Sequence, residues 1–167
     1  MDAIEIETGP NPTDRGKSGT KRSLLTDGRG VPLAVVVAGA NRNDFKLAAP
    51  TLAALVVPRP VAEPGTDPAA ALQCGLCLDK GYDFAEVYEL LEREGYVPHI
   101  RPVGEATLLV AKKPGYPARR WVVERTHSWM NRFRALLIRW QKREDSFLGL
   151  VQLTCAIIVL KRAGLLG

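Results

Sequence analysis

At 167 residues, 46% apolar and 25% charged, the chain has the composition of one soluble globular domain with a real core. Its opening, "DAIEIETGPNPTDRGK", is too acidic and polar for a signal peptide, and its most apolar run, residues 148–160, is too short for a bilayer and carries Gln152 and Thr154. The net charge of +5 raises the question of a polyanionic partner, which depends on where the charge lies.

Residues 1–19 are rich in Gly, Pro and Asp and read as a loop or disordered arm, leaving 20–167 as the domain proper. "KRSLLTDGRGVPLAVVVAGA" reads as two strands around a turn made by Asp27 and Gly28. "NRNDFKLAAPTLAALVV" predicts a helix to about Val57, with Pro50 in its first turns. Prolines 58, 60, 64 and 68 make the next segment a loop. "GLCLDKGYD" predicts a short strand ending at Asp79, "FAEVYELLEREG" an amphipathic helix stopped by Gly95, and "VPHIRPV" another strand. Two long helices follow from about Arg119 to Ala163. The run 148–160 is read as buried. The order β-β-α-β-α-β-α-α, with an antiparallel pair first, predicts an α/β fold with a mixed sheet.

Cys74 and Cys77 form one C-x-x-C with no second pair and no nearby histidine. They read as small buried residues rather than a zinc or redox site. No glycine-rich nucleotide loop and no serine or cysteine nucleophile in a recognisable setting is present, which argues against a small-molecule enzyme.

The charge is concentrated. Residues 119–145 hold eight basic and three acidic residues, and the remainder of the chain is neutral. A concentrated basic element is the footprint of a polyanion partner, although a solvated helix face has the same composition. Within this stretch Val122, Trp129, Phe133, Leu136, Leu137 and Trp140 recur at helical steps and predict a buried stripe. Arg120, Glu124, Ser128 and Asn131 fall on another face. Glu124 either pairs with Arg120, which stabilises a helix by only ~0.2–0.5 kcal/mol, or supplies a rigidly held carboxylate to a metal site. Asp79 likewise either caps a turn or pairs with Lys80, or points a carboxylate into the crevice beyond the strand end. Two carboxylate-held divalent ions would clamp the attacking and leaving oxygens of a phosphodiester, with arginines holding phosphates.

Three segments in order, "GPNPTDRGKSGTKRSLLTDGRGVPLAVVVAGANRND", "LDKGYD" and "RWVVERTHSWMNRFRALL", resemble the carboxyl-terminal half of DDE transposases of insertion-sequence family 5, often grouped with family 4. The resemblance implies an RNase H-like mixed sheet flanked by helices, and an Asp, Asp, Glu triad that binds two Mg²⁺ or Mn²⁺ ions. Asp79 matches the second aspartate, Glu124 the glutamate, and Arg120 the signature arginine four residues before it. Arg120, Arg125, Arg132 and Arg134, with Lys17 and Lys21 of the first segment, are the expected DNA contacts. The signature's basic residue seven after the glutamate is Asn131 here, with Arg132 beside it, and its tyrosine falls on Pro117, beside Tyr116. The first aspartate lies, by resemblance, on a strand upstream of "GPNPTDRGK". Asp2 is near that place, and the sheet is expected to lack its first strand.

The expected function is therefore that of a transposase catalytic-domain fragment: metal-dependent cleavage of transposon ends, then attack of the freed 3′-hydroxyl on target DNA. With two of three carboxylates it should be inactive alone, as the second reading frame of a split transposase. The alternatives are a non-catalytic regulator that binds DNA or transposase, and a decayed remnant. The expected partners are DNA, further copies of the chain, or the product of an upstream frame. No membrane is expected, and the location is the bacterial cytoplasm, with the nucleoid.

Overall fold

The computed structural model describes residues 8–58, 74–100 and 121–166. Contacts divide the chain into two compact units, one made of residues 1–55 and 121–167, the other of residues 56–120. The domain expected over 20–167 is thus described in two parts.

The first unit is built on an antiparallel sheet of β1 (Gly9–Pro10), β2 (Ser18–Thr26) and β3 (Pro32–Gly39), in that order. β2 and β3 run in register from Thr20↔Gly39 to Leu25↔Ala34, then shift by a bulge at Leu25/Thr26. Asp27 makes the hairpin turn as expected, its Oδ1 accepting from the N–H groups of Arg29 at 2.8 Å and Val31 at 2.7 Å. Gly30, not Gly28, takes the left-handed conformation, with φ +82°, which only glycine adopts cheaply.

Successive strand residues face opposite ways, so each sheet face has its own partners. Val35, Val37 and Leu24 join a core with Met130, Leu136, Phe147, Val151, Cys155 and Ile158. Ser23 and the buried Thr51 share a 2.7 Å hydrogen bond. Thr51 belongs to α1 (Ala48–Ala53), which a 3₁₀ turn at Asp44–Leu47 precedes. The helix expected to reach Val57 is this shorter pair. Pro50 is its third residue, where a missing N–H costs nothing.

The long helices expected from Arg119 are three pieces among the described residues: α3 (Trp121–Met130), the single turn α4 (Arg134–Leu137), and α5 (Glu144–Arg162). The helical path breaks after Asn131, whose N–H still donates to the His127 carbonyl at 2.9 Å. The predicted stripe therefore fails at its far end: Leu137 is 59% and Trp140 78% exposed. The buried positions of α3 are Val122, Thr126 and Met130, spaced at four-residue steps. α5 buries one side through Phe147, Val151, Thr154, Cys155 and Ile158, while Leu153 and Leu160 remain exposed, so the run read as buried is buried on one face only.

The second unit contains β4 (Cys74–Leu78), α2 (Ala85–Arg93) and β5 (Tyr96–Ile100). β4 and β5 pair in parallel, Cys74↔Tyr96 to Leu78↔Ile100, and a helix is the usual connection between parallel strands. Val87, Leu90, Leu91 and Ile100 are its buried apolar residues among those described. Gly95, at φ +69°, ends α2, as its sequence position predicts. With an antiparallel sheet in one unit, a parallel one in the other and helices flanking both, the fold is mixed α/β, as expected.

Burial separates the thiols. Cys77 is exposed, Cys74 is intermediate and Cys155 is buried, so the reading of Cys77 as a buried residue is corrected: it lies on the outward side of β4. Burial pushes the Cys155 thiol up to about 11, against the opposing pull of the Arg22 charge. A thiol reagent at mildly alkaline pH should therefore label Cys77 quickly and Cys155 only when the chain unfolds, as peptide mass mapping would show.

Candidate nucleic-acid interface and carboxylates

Asp79 follows β4 directly. It caps the 3₁₀ turn Lys80–Tyr82, its Oδ1 accepting from the Gly81 N–H at 2.7 Å. The carboxylate is exposed and its Oδ2 has no hydrogen bond among the described residues. The capping and functional readings are thus compatible, since one oxygen fixes the side chain and the other stays available.

Glu124 lies in the first turn of α3, on its exposed side. It makes no hydrogen bond or ion pair among the described residues. Its helix is fixed from below. Thr126, fully buried, donates from Oγ1 to the Gly30 carbonyl at 2.7 Å, with the Val122 carbonyl at 3.1 Å. Arg125 stacks between Trp121 and Trp129, at 4.7 and 5.0 Å from the ring centroids, and donates to the Arg29 carbonyl at 2.5 Å. The β2–β3 turn and α3 are therefore clamped together, and Glu124 stands on the clamped segment. Arg125→Ala removes both stacks and the hydrogen bond and should cost about 1–3 kcal/mol, read as a lowered unfolding midpoint in urea.

Both carboxylates are hard oxygen donors of the kind that Mg²⁺ and Mn²⁺ take. Asp79 belongs to the second unit and Glu124 to the first. Among the described residues no group of three or more His, Cys, Asp and Glu side chains is clustered for a metal. Asp2, Tyr116, Pro117 and Arg120 lie outside the described residues.

The expected DNA contacts divide into free and committed cations. Arg132 and Arg134, just past α3, are exposed and have no acidic partner among the described residues. Lys17 is exposed, 3.8 Å from Asp14. Lys21 is tied to Asp44 at 2.7 Å and to the Arg42 carbonyl at 2.9 Å, holding the 3₁₀ turn to the sheet. Arg125 is half-buried in the clamp. Arg143 is exposed but paired with Asp145 through two contacts of 3.0 and 2.5 Å, which hold the Asp145 carboxyl down at about 2. Charge counting alone overstated the free cations of residues 119–145.

Sequence reading missed Arg22. On β2 it lies on the same face as Leu24, among core residues, and its Nη2 donates to Asn131 Oδ1 at 2.8 Å. A guanidinium from the strand thus meets Asn131, the residue at which the resemblance expects a basic side chain. The sequence held a signal for this: alternation along "TKRSL" puts Arg22 on the inward side of a half-buried strand. Burial, then the Arg22 charge, lower the His127 pKa, so that imidazole favours its neutral form beside a fixed cation.

The family model for the transposase DDE domain matches residues 1–159. The chain belongs to that family. It is also 36% identical over 165 residues to a Burkholderia cepacia protein described as "Putative transposase for insertion sequence element IS402", covering 94% of this chain and 72% of that protein. No solved structure matches. Membership accounts for the mixed α/β, RNase H-like architecture and implies DNA as the partner and divalent metal as the cofactor. No helix among the described residues is long and apolar enough to cross a membrane.

Proposed function

We propose that this chain serves the transposition of an insertion sequence of family 5, with Asp79 and Glu124 as two of the metal-binding carboxylates. The observation that carries the reading is their common state in a chain of the DDE family: each is exposed on a fixed support, and each keeps oxygen free among the described residues. Asp79 is steadied by the Gly81 N–H at a strand end, and Glu124 by the clamp between α3 and the hairpin turn. Divalent ions, two by this reading, supply Lewis acidity and an activated water for strand cleavage. The chain's own residues hold and orient the DNA. Arg132 and Arg134 offer uncommitted charge to backbone phosphates just beyond Glu124 on the chain, and Lys17 offers more at the β1–β2 turn. Arg125 positions the helix and does not itself present a free guanidinium.

The test is a mating-out assay with the element in its natural gene context, so that any product encoded beside this chain is also present. Asp79→Asn should abolish transposition while protein level and melting temperature hold, because the Gly81 contact survives on the amide oxygen. Wild-type frequency in that variant would remove Asp79 from the chemistry. DNA binding without transposition by the unaltered gene would instead favour a non-catalytic regulator.

A further inference from the structure

The first unit carries a cleft of about 680 Å³ that none of the catalytic assignments uses. Arg22, Arg139 and Lys142 line it, together with Asn131, Thr20 and Gln141, and no carboxylate among the described residues does. Arg139 is oriented by its own contacts: Nη1 donates to Thr20 Oγ1, Nε donates to the Gln141 carbonyl at 3.0 Å, and the guanidinium lies 4.8 Å from the Phe147 ring centroid. Arg22 is oriented by Asn131. Each guanidinium keeps one buried nitrogen with no acceptor among the described residues, Nη1 of Arg22 and Nη2 of Arg139. Two half-buried cations sharing a cleft are costly unless an anion answers them. Oriented guanidinium groups suit the oxygens of a phosphate.

The cleft also has a defined relation to Glu124. Asn131 lies seven residues farther along α3 and its one-residue extension, about 10 Å along the axis at 1.5 Å per residue. Both residues fall on the exposed side. A DNA strand passing along that side would meet the carboxylate and the cleft in turn.

We propose that the cleft of Arg22, Arg139 and Lys142 is a phosphate-binding site, and that it takes a backbone phosphate of the DNA strand. The inference rests on the DNA-acting role given above. It adds three cations, none of them among the expected DNA contacts, to the binding surface. Asn131 is a positioning residue that aims Arg22.

Two variants spare the fold. Lys142→Ala removes an exposed charge. Asn131→Asp keeps the side-chain shape while setting a carboxylate against Arg22. Binding of a fluorescent duplex carrying the element's own end would be followed against salt, and inorganic phosphate would be titrated separately by thermal shift. We expect each variant to bind the duplex several-fold more weakly at low salt, with the log K against log salt slope reduced by about one, at an unchanged melting temperature. Stabilisation of the wild type but not of the variants by inorganic phosphate, with duplex binding equal in all three, keeps the phosphate site but replaces the DNA strand with free phosphate. Equal duplex binding and no phosphate response in any form overturns the proposal. If the wild type binds no duplex, the DNA-acting role fails separately, and the phosphate arm alone decides the cleft.

Discussion

Glu124→Gln should lower transposition by roughly a hundred-fold or more, because a lost or misplaced ligand at the reacting centre costs at least that much. The structure makes this a clean substitution. Glu124 is exposed and supports no hydrogen bond or ion pair among the described residues, so the amide should leave the unfolding midpoint unchanged. It should also leave duplex binding and its salt slope intact, since the cations that bind phosphates lie elsewhere. A single measurement set therefore separates chemistry from binding. Transposition frequency falls, while gel shift and thermal melt do not. Full transposition by the Gln variant would show that Glu124 is only a solvated helix residue. Loss of binding together with transposition would mean that the glutamate orders the basic segment rather than the reaction.

Gly30→Ala should destabilise the first unit by about 2–6 kcal/mol. Two causes add. The residue sits at φ +82°, where a side chain is strained by about 1–3 kcal/mol. A Cβ there would also lie 2.9 Å from Thr126 Oγ1 and 3.1 Å from Arg125 Nη2, and crowding of this kind costs about 1–3 kcal/mol more. Both neighbours belong to the clamp that seats α3. Urea melts should show the loss of stability. Transposition should fall as well, because the shift passes directly to the helix bearing Glu124. The effect of a turn glycine on the reaction, far from it in sequence, is the distinguishing result. Unchanged stability in Gly30→Ala would mean that the turn and α3 yield independently.

Much of this arrangement is legible in the sequence. The β-branched run from Val31 to Val37, the Asp27 turn, the α2 periodicity and the Gly95 stop are local signals, and each forms the predicted element. The family motifs singled out Asp79 and Glu124, and both carboxylates are exposed. What stayed hidden is tertiary. Nothing in the propensities of "MNRFRALL" stops a helix. The chain breaks there while Leu136 enters the core and Asn131 engages Arg22 from a distant strand. The fate of individual arginines was hidden for the same reason. Composition counts charge, but only packing shows that Arg125 lies between two tryptophans while Arg132 faces solvent. Gly30 rather than Gly28 carries the strained turn conformation because the Asp27 side chain bonds forward to Arg29 and Val31.

The division of the first unit between the two ends of the chain has a consequence for how the protein is made. β2 and β3 are synthesised before α5, yet the apolar partners of Val35 and Val37 include Phe147, Val151 and Ile158 on that helix. A ribosome will have translated the whole intervening segment, residues 56–120, before that sheet face can be covered. Until then a two-stranded hairpin must wait with bare valines, a form that is marginal in water and open to pairing with other nascent chains. The β4–α2–β5 unit is continuous in sequence, so its own contacts can start to form as it emerges. Assembly should therefore run from the middle of the chain outward, with the last helix as the rate-setting piece. A message cut short before α5 would yield a product that aggregates rather than a smaller folded protein.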